Sequence, residues 1–248
     1  MKLWLWLFLV LSCPVMAGAT PWVNETFDES GLVKQPPTGP RKHVSWFTKD
    51  GPIKVVVDPV LGDGSAFKGN NIVGILPFAT LTNPGDSITV HFTFRLAGPV
   101  TATDHGFKLG FYEGGDPNDP WFYAAGTGYR WNISTGGYPI PASLVKESGG
   151  AGQKILSGQD TNVMAQSKAA YSINDTAKHT ATIILAMTDN GLTLSLAIDD
   201  KKFAFQASDL LPPSTLSPTR FAIRSDANTF LLDDFTVDIK APTNPTSL

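Results

Sequence analysis

The feature that most constrains this chain is the strict alternation in Ser87 to Leu96, SITVHFTFRL. Ile88, Val90, Phe92, Phe94 and Leu96 take every second position, and Thr89, His91, Thr93 and Arg95 fill the places between. Successive side chains of an extended backbone point to opposite faces, so a period of two sorts this segment into an apolar face and a polar one. Such a segment has to bury its apolar side against a second layer. Phe107 to Tyr112, FKLGFY, repeats the pattern with Phe107, Leu109 and Phe111 on one side and Lys108, Gly110 and Tyr112 on the other. Thr180 to Ala207 reads as a meander of TATIILAM, LTLSLAI and KKFAFQA. Asn190-Gly191 predicts its first turn, of type I′ with positive φ at both central residues, and Asp199-Asp200 its second. The last strand is Phe230 to Ile239, FLLDDFTVDI.

Helical periodicity is confined to two short stretches, Pro141 to Lys146 and Ser208 to Leu211, which are read as helical. With 23 glycines and 19 prolines to make turns, the chain reads as all-β: a two-sheet antiparallel β-sandwich wired as a jelly roll. Neither an internal repeat nor a Gly/Ser linker divides it, so residues 20–240 form one domain and 241–248 a frayed tail. The alternation places Val90, Phe92, Phe94, Leu109 and Phe111 in the core. Ile183, Leu185, Leu194, Leu196, Phe203, Phe205, Phe235 and Val237 join them there.

Residues 1–19 read as a secretion signal: Lys2, an apolar run from Leu3 to Leu11, and the small-residue site Ala17-Gly18-Ala19. That run is far shorter than the ~20 residues of a spanning helix. The mature chain then begins at Thr20, is secreted or periplasmic, has no transmembrane segment and contains no cysteine, so its stability rests on packing. An alternative makes Cys13, in Val10-Leu11-Ser12-Cys13, a lipid anchor. A net charge of −3 with only 17% charged residues argues against nucleic acid as a partner, which requires a clustered cationic surface.

The opening ETFDESG, the central FKLGFYEGG and FYAAGTG, the meander, and the closing FAIRSDANTFLLDDFTVDI together resemble the concanavalin A-like, laminin-G-like superfamily of β-sandwiches. The resemblance implies an exported module that binds glycans, or else a polysaccharide lyase or glycoside hydrolase. Fold does not choose among these, and residues must.

The richest segment is His105 to Trp131. Trp121 and Tyr123 share one face in extended backbone, as do Tyr129 and Trp131, and Asp116, Asn118 and Asp119 supply hydrogen-bonding groups beside them. Flat apolar rings with polar neighbours suit the C–H faces of sugars, so these seven residues are the candidate carbohydrate-binding set. FKLGFY also resembles a Lys-x-Gly-x-Tyr strand of alginate-lyase-like jelly rolls. That resemblance makes Tyr112 a proton-transfer group, with His91, Arg95 and Lys108 beside it if their strands are neighbours. No Glu-x-Asp-x-x-Glu strand supplies the paired acids of glycoside hydrolysis. On balance the chain reads as non-catalytic, its partner an extracellular polysaccharide or cell-surface glycan. Glu25 and Asp28 near one end, and Asp233 and Asp234 near the other, are hard oxygen donors for a structural calcium.

Overall fold

A computed structural model describes residues 22–25, 27, 44–48, 54–62, 64–76, 79–98, 105–114, 126–137, 139–149, 155–156, 162–213, 215–226 and 229–240. Fifteen strands run through them: β1 (Val23–Glu25), β2 (Ser45–Thr48), β3 (Lys54–Val57), β4 (Ser65–Gly69) and β5 (Asn71–Ile75). Then follow β6 (Ser87–Leu96), β7 (His105–Gly114), β8 (Gly126–Thr135), β9 (Ile140–Glu147) and β10 (Val163–Ile173). The last are β11 (His179–Thr188), β12 (Gly191–Ile198), β13 (Phe203–Asp209), β14 (Arg220–Ser225) and β15 (Phe230–Lys240).

The strands form two sheets. The eight-stranded one has the order β13-β12-β11-β6-β15-β4-β3, with β1 also paired to β15; the seven-stranded one runs β10-β9-β8-β7-β14-β5-β2. Pairing is antiparallel except where Ser172 and Ile173 of β10 lie parallel to Ser134 and Thr135 of β8. β1 and β15 bring the two ends of the fold together, with Val23 opposite Val237. This is the two-sheet jelly-roll sandwich that the alternation predicts.

The sheets meet through aromatic rings. Phe94 of β6 stacks on Phe107 of β7 at 4.9 Å, and Phe92 meets Phe221 of β14 edge-on at 5.8 Å. Trp46, Phe67 and Phe235 continue the cluster, with Trp46 and Phe235 4.9 Å apart. All thirteen predicted core residues are buried. Burial of apolar area on this scale is the main stabilising term in a fold without a disulfide.

Three local readings differ from the structure. Pro141 to Lys146 lies within β9, not a helix: Ala142 and Leu144 point inward, and β8 and β10 pair with it from both sides. Ser208 and Asp209 end β13, paired with Thr193 and Leu192. In both places ladder pairing overrides local helical propensity, that of Ala, Leu and Lys in the first stretch and of Leu in the second. In the β11–β12 hairpin Thr188 pairs with Gly191, so Asp189 and Asn190 are central, and only Gly191 has positive φ, at 119°. That is a turn closed by a left-handed glycine rather than the expected type I′. The β12–β13 turn sits where Asp199-Asp200 predicts, with Asp199, Asp200 and Lys201 all left-handed (φ 50°, 51° and 77°).

Candidate functional site

Of the candidate carbohydrate-binding set, Asp116, Asn118, Asp119, Trp121 and Tyr123 lie outside the described residues, in the connection between Gly114 of β7 and Gly126 of β8. Those two glycines pair directly, closing the connection at its base. Tyr129 and Trp131 do share one face of β8, as their spacing predicts, but it is the inner one. Trp131 packs edge-on to Phe111 at 6.5 Å. A ring enclosed on all sides offers no face to a sugar, so these two are core, which corrects their assignment to glycan binding.

Tyr129 has a structural task instead. Its hydroxyl donates to Asp209 Oδ2 (2.7 Å), and Lys146 Nζ donates to the same oxygen (2.6 Å) while lying 5.9 Å from the Tyr129 ring centre. Burial pushes the Asp209 carboxyl up, but Lys146, Tyr129 and the Leu211 amide together hold it below its usual range. The cluster clasps β8 and β9 of one sheet to the end of β13 of the other.

The four residues of the lyase reading do not converge. β6 and β7 belong to different sheets, and their polar faces look out on opposite sides of the sandwich. On β6, Arg95 grips Asp58 through Nε (2.9 and 3.0 Å) and Nη2, and His91 Nδ1 meets Thr182 Oγ1 at 2.9 Å. On β7, Lys108 Nζ pairs with Asp226 at 2.7 Å. Tyr112 is enclosed.

Tyr112 lies on the outer side of the β7–β8 pair, near its Gly114–Gly126 end. The ring lies flat across Gly110 and Gly128: a Cβ on Gly110 would meet Tyr112 Cε2 at 2.6 Å, and one on Gly128 would meet Cδ1 at 2.7 Å. Ile155 and Leu156 cover it, with Val73 and Ala222 at its side. The Leu156 amide donates to the Tyr112 hydroxyl (3.2 Å) from a left-handed backbone, φ 59°, that a leucine rarely adopts. The hydroxyl also bonds to Glu147, whose carboxylate pairs with Arg130. Burial first, and the negative charge of Glu147 second, push the Tyr112 phenol well above its ordinary value. Sealed and protonated, it holds the sheet surface together rather than exchanging protons with a substrate. Arg220 Nη1 binds the carbonyl of Gly114, and the Thr219 amide that of Tyr112, tying β14 to the same end of β7.

The described calcium donors, Glu25, Asp233 and Asp234, lie on β1 and β15. β1 lies along β15, so Glu25 is opposite Phe235, one residue from Asp234; Asp28 lies outside the described residues. Glu25 Oε1 accepts the Val44 amide at 2.6 Å, and Asp233 Oδ1 accepts that of Asp234 at 2.8 Å. Lys178 lies 3.9 Å from Asp234. Among the described residues no group of three or more His, Cys, Asp or Glu side chains gathers as a metal site.

Sequence reasoning passes over the Arg130–Glu147 pair and the buried His179, whose Nδ1 lies 2.8 Å from Asp199 and Nε2 2.9 Å from Asp175. Glu147 and Asp199 come from other strands or turns than the residues they bind, so no local spacing signals them; Asp175, four residues before His179, is the one local partner. Among the described residues no helix is long and apolar enough to cross a membrane.

No protein-family model matches the sequence, and no curated protein matches it. Solved structures do match the fold. The metal-free carbohydrate recognition domain of Emp46p superposes with a TM-score of 0.51 at 18% identity, covering 78% of this chain and 87% of that one. Its potassium-bound form gives 0.50 at 19%, covering 78% and 88%. An engineered GH43 glycoside hydrolase with endo-xylanase and exo-arabinofuranosidase activity gives 0.50 at 9%, covering 90% of this chain but 42% of that one. At these identities the likeness establishes the fold alone. That fold is the two-sheet jelly-roll β-sandwich that the concanavalin A-like resemblance implies.

Proposed function

We propose that this protein is an exported, non-catalytic module that binds an extracellular polysaccharide through the connection between β7 and β8, with Trp121 and Tyr123 as stacking rings and Asp116, Asn118 and Asp119 as their hydrogen-bonding neighbours. The observation that carries the reading is the described base of the connection. Gly114 and Gly126 pair beside the sealed Tyr112–Glu147–Arg130 cluster, and Arg220 holds the Gly114 carbonyl. Recognition groups set on a rigid sheet end lose less freedom on binding.

The mature protein, starting at Thr20 once residues 1–19 are removed, is tested by affinity electrophoresis and a glycan array. Each stacked ring is worth ~1–2 kcal/mol by analogy with base stacking, so Trp121→Ala or Tyr123→Ala weakens retention about five- to thirtyfold. Retention that survives both substitutions overturns the site. New reducing ends or unsaturated products from the retained glycan overturn the non-catalytic reading.

A further inference from the structure

The eight-stranded sheet carries a surface of another kind on its outer side. A groove of about 420 Å³ runs over β11, β12 and β13, within the ~300–1,000 Å³ range of small-molecule sites. Pairing registers set His91, Thr182, Ala197 and Ala204 abreast across four strands, and Ile184, Ser195 and Gln206 abreast in the next row. No Asp, Glu, Lys or Arg stands on this face of β11, β12 or β13. That is unusual for a solvated face, and more so because β13 is the outermost strand, where charged side chains ordinarily guard against pairing.

The rim is built with equal definition. Asp200 and Lys201, of opposite charge, line one end of the groove. They are held in the left-handed backbone noted above, at a cost of roughly 1–2 kcal/mol per residue. Asp199 fixes that turn: its carboxylate takes the Thr180 amide (3.1 Å) and His179 Nδ1 (2.8 Å), and its own amide donates to the Thr180 carbonyl (3.0 Å). Strain that persists because its surroundings enforce it is a mark of functional surfaces.

We propose that this face is a second glycan-contact surface, shaped for a neutral polysaccharide chain laid across β11, β12 and β13. Ser and Thr hydroxyls and the Gln206 amide both donate and accept, matching sugar hydroxyls, while Ala197 and Ala204 leave a flat floor for C–H faces. Three strands at ~4.8 Å spacing span about 10 Å, room for more than one ring of a chain. The strand floor carries no charge to recognise a uronate or a sulfate, and the Asp200 and Lys201 at its rim are opposite in sign. This surface rests on other residues, and on the other sheet, than the Trp121–Tyr123 site.

The test is the amide chemical-shift map of the mature protein with cellohexaose, xylohexaose, laminarihexaose and hexagalacturonate, in wild type and in Trp121→Ala. At least one neutral hexaose should shift amides of β11–β13, equally in both proteins. Its affinity should hold between about 0.05 and 0.5 M NaCl, because no ion pair is there to be screened. Ala197→Glu should weaken it about tenfold or more, since the ligand would bury an unpaired carboxylate, and Ala197→Ser should not. If Ala197→Glu fails to fold, the wild-type map decides. Shifts confined to other strands, preference for hexagalacturonate, or a dimer that Ala197→Glu dissolves would each overturn the proposal. Loss of all binding in Trp121→Ala would overturn it while upholding the first site.

Discussion

The flat Tyr112 ring can be tested with a single methyl group. A Cβ at Gly128 would stand 2.0 Å from the Phe111 carbonyl oxygen as well as 2.7 Å from the ring, against the 3.0 Å below which real Cβ contacts essentially never fall. The oxygen belongs to the β7 backbone and cannot rotate aside, so Gly128→Ala has to part β7 from β8 by about 1 Å. Overpacking costs ~1–3 kcal/mol where side chains can give. Here a backbone must move and the Tyr112 contacts move with it, which puts the cost near 3 kcal/mol or above. Each kcal/mol shifts Tm by ~2–4 °C at this chain length, so a fall of roughly 6–12 °C follows. Gly137→Ala is the control: nothing lies within 4 Å of its Cβ, and its backbone is not left-handed. It should gain ~0.4–1 kcal/mol by restricting the unfolded chain. Urea unfolding followed by tryptophan fluorescence measures both. If Gly128→Ala loses less than ~1 kcal/mol, the glycine floor is not what the packing describes.

Two further outcomes concern buried charge. Arg95 and the Leu61 and Val60 amides hold the Asp58 carboxyl below its ordinary value despite the opposing effect of burial, so its stabilisation is present above the ordinary carboxylate range and lost as pH falls through the folded pKa. Asp58→Asn should therefore cost ~1.5–3 kcal/mol at neutral pH, with the gap to wild type closing in acid; a gap constant down to acid unfolding refutes the linkage. At the inter-sheet clasp, Tyr129→Phe and Lys146→Met both act on Asp209, so their combined cost should depart from the sum by ~0.5 kcal/mol or more in a thermal-unfolding cycle, and strict additivity would show that they act separately.

Much of the fold is legible because alternation is a local signal. β6, β7, β11, β12, β13 and β15 announce themselves through a period of two, and every core residue inferred from it is buried. β9 is hidden because PASLVK reads as helix until β8 and β10 flank it. The site is less legible for two reasons. Spacing shows that Tyr129 and Trp131 share a face, but not that the face is inward. Nor does it show which sheet a strand joins: β6 and β7 are consecutive in the chain and lie in different sheets, which separates His91 and Arg95 from Lys108 and Tyr112. The groove over β11–β13 is made of Ser, Thr and Ala, residues that attract no notice until registers set them abreast.

The pairing of β1 with β15 also bears on how the molecule responds to tension. Val23 lies opposite Val237, so the chain enters and leaves this pair at the same end. A pull between the two termini loads the ladder one hydrogen bond at a time, in a zipper geometry rather than in shear. β1 is three residues long and would peel away first. β15 remains paired along most of its length with β6, deep in the eight-stranded sheet. The fold therefore has a built-in first rupture, one that releases slack while leaving the groove, the Tyr112 floor and the Asp209 clasp untouched.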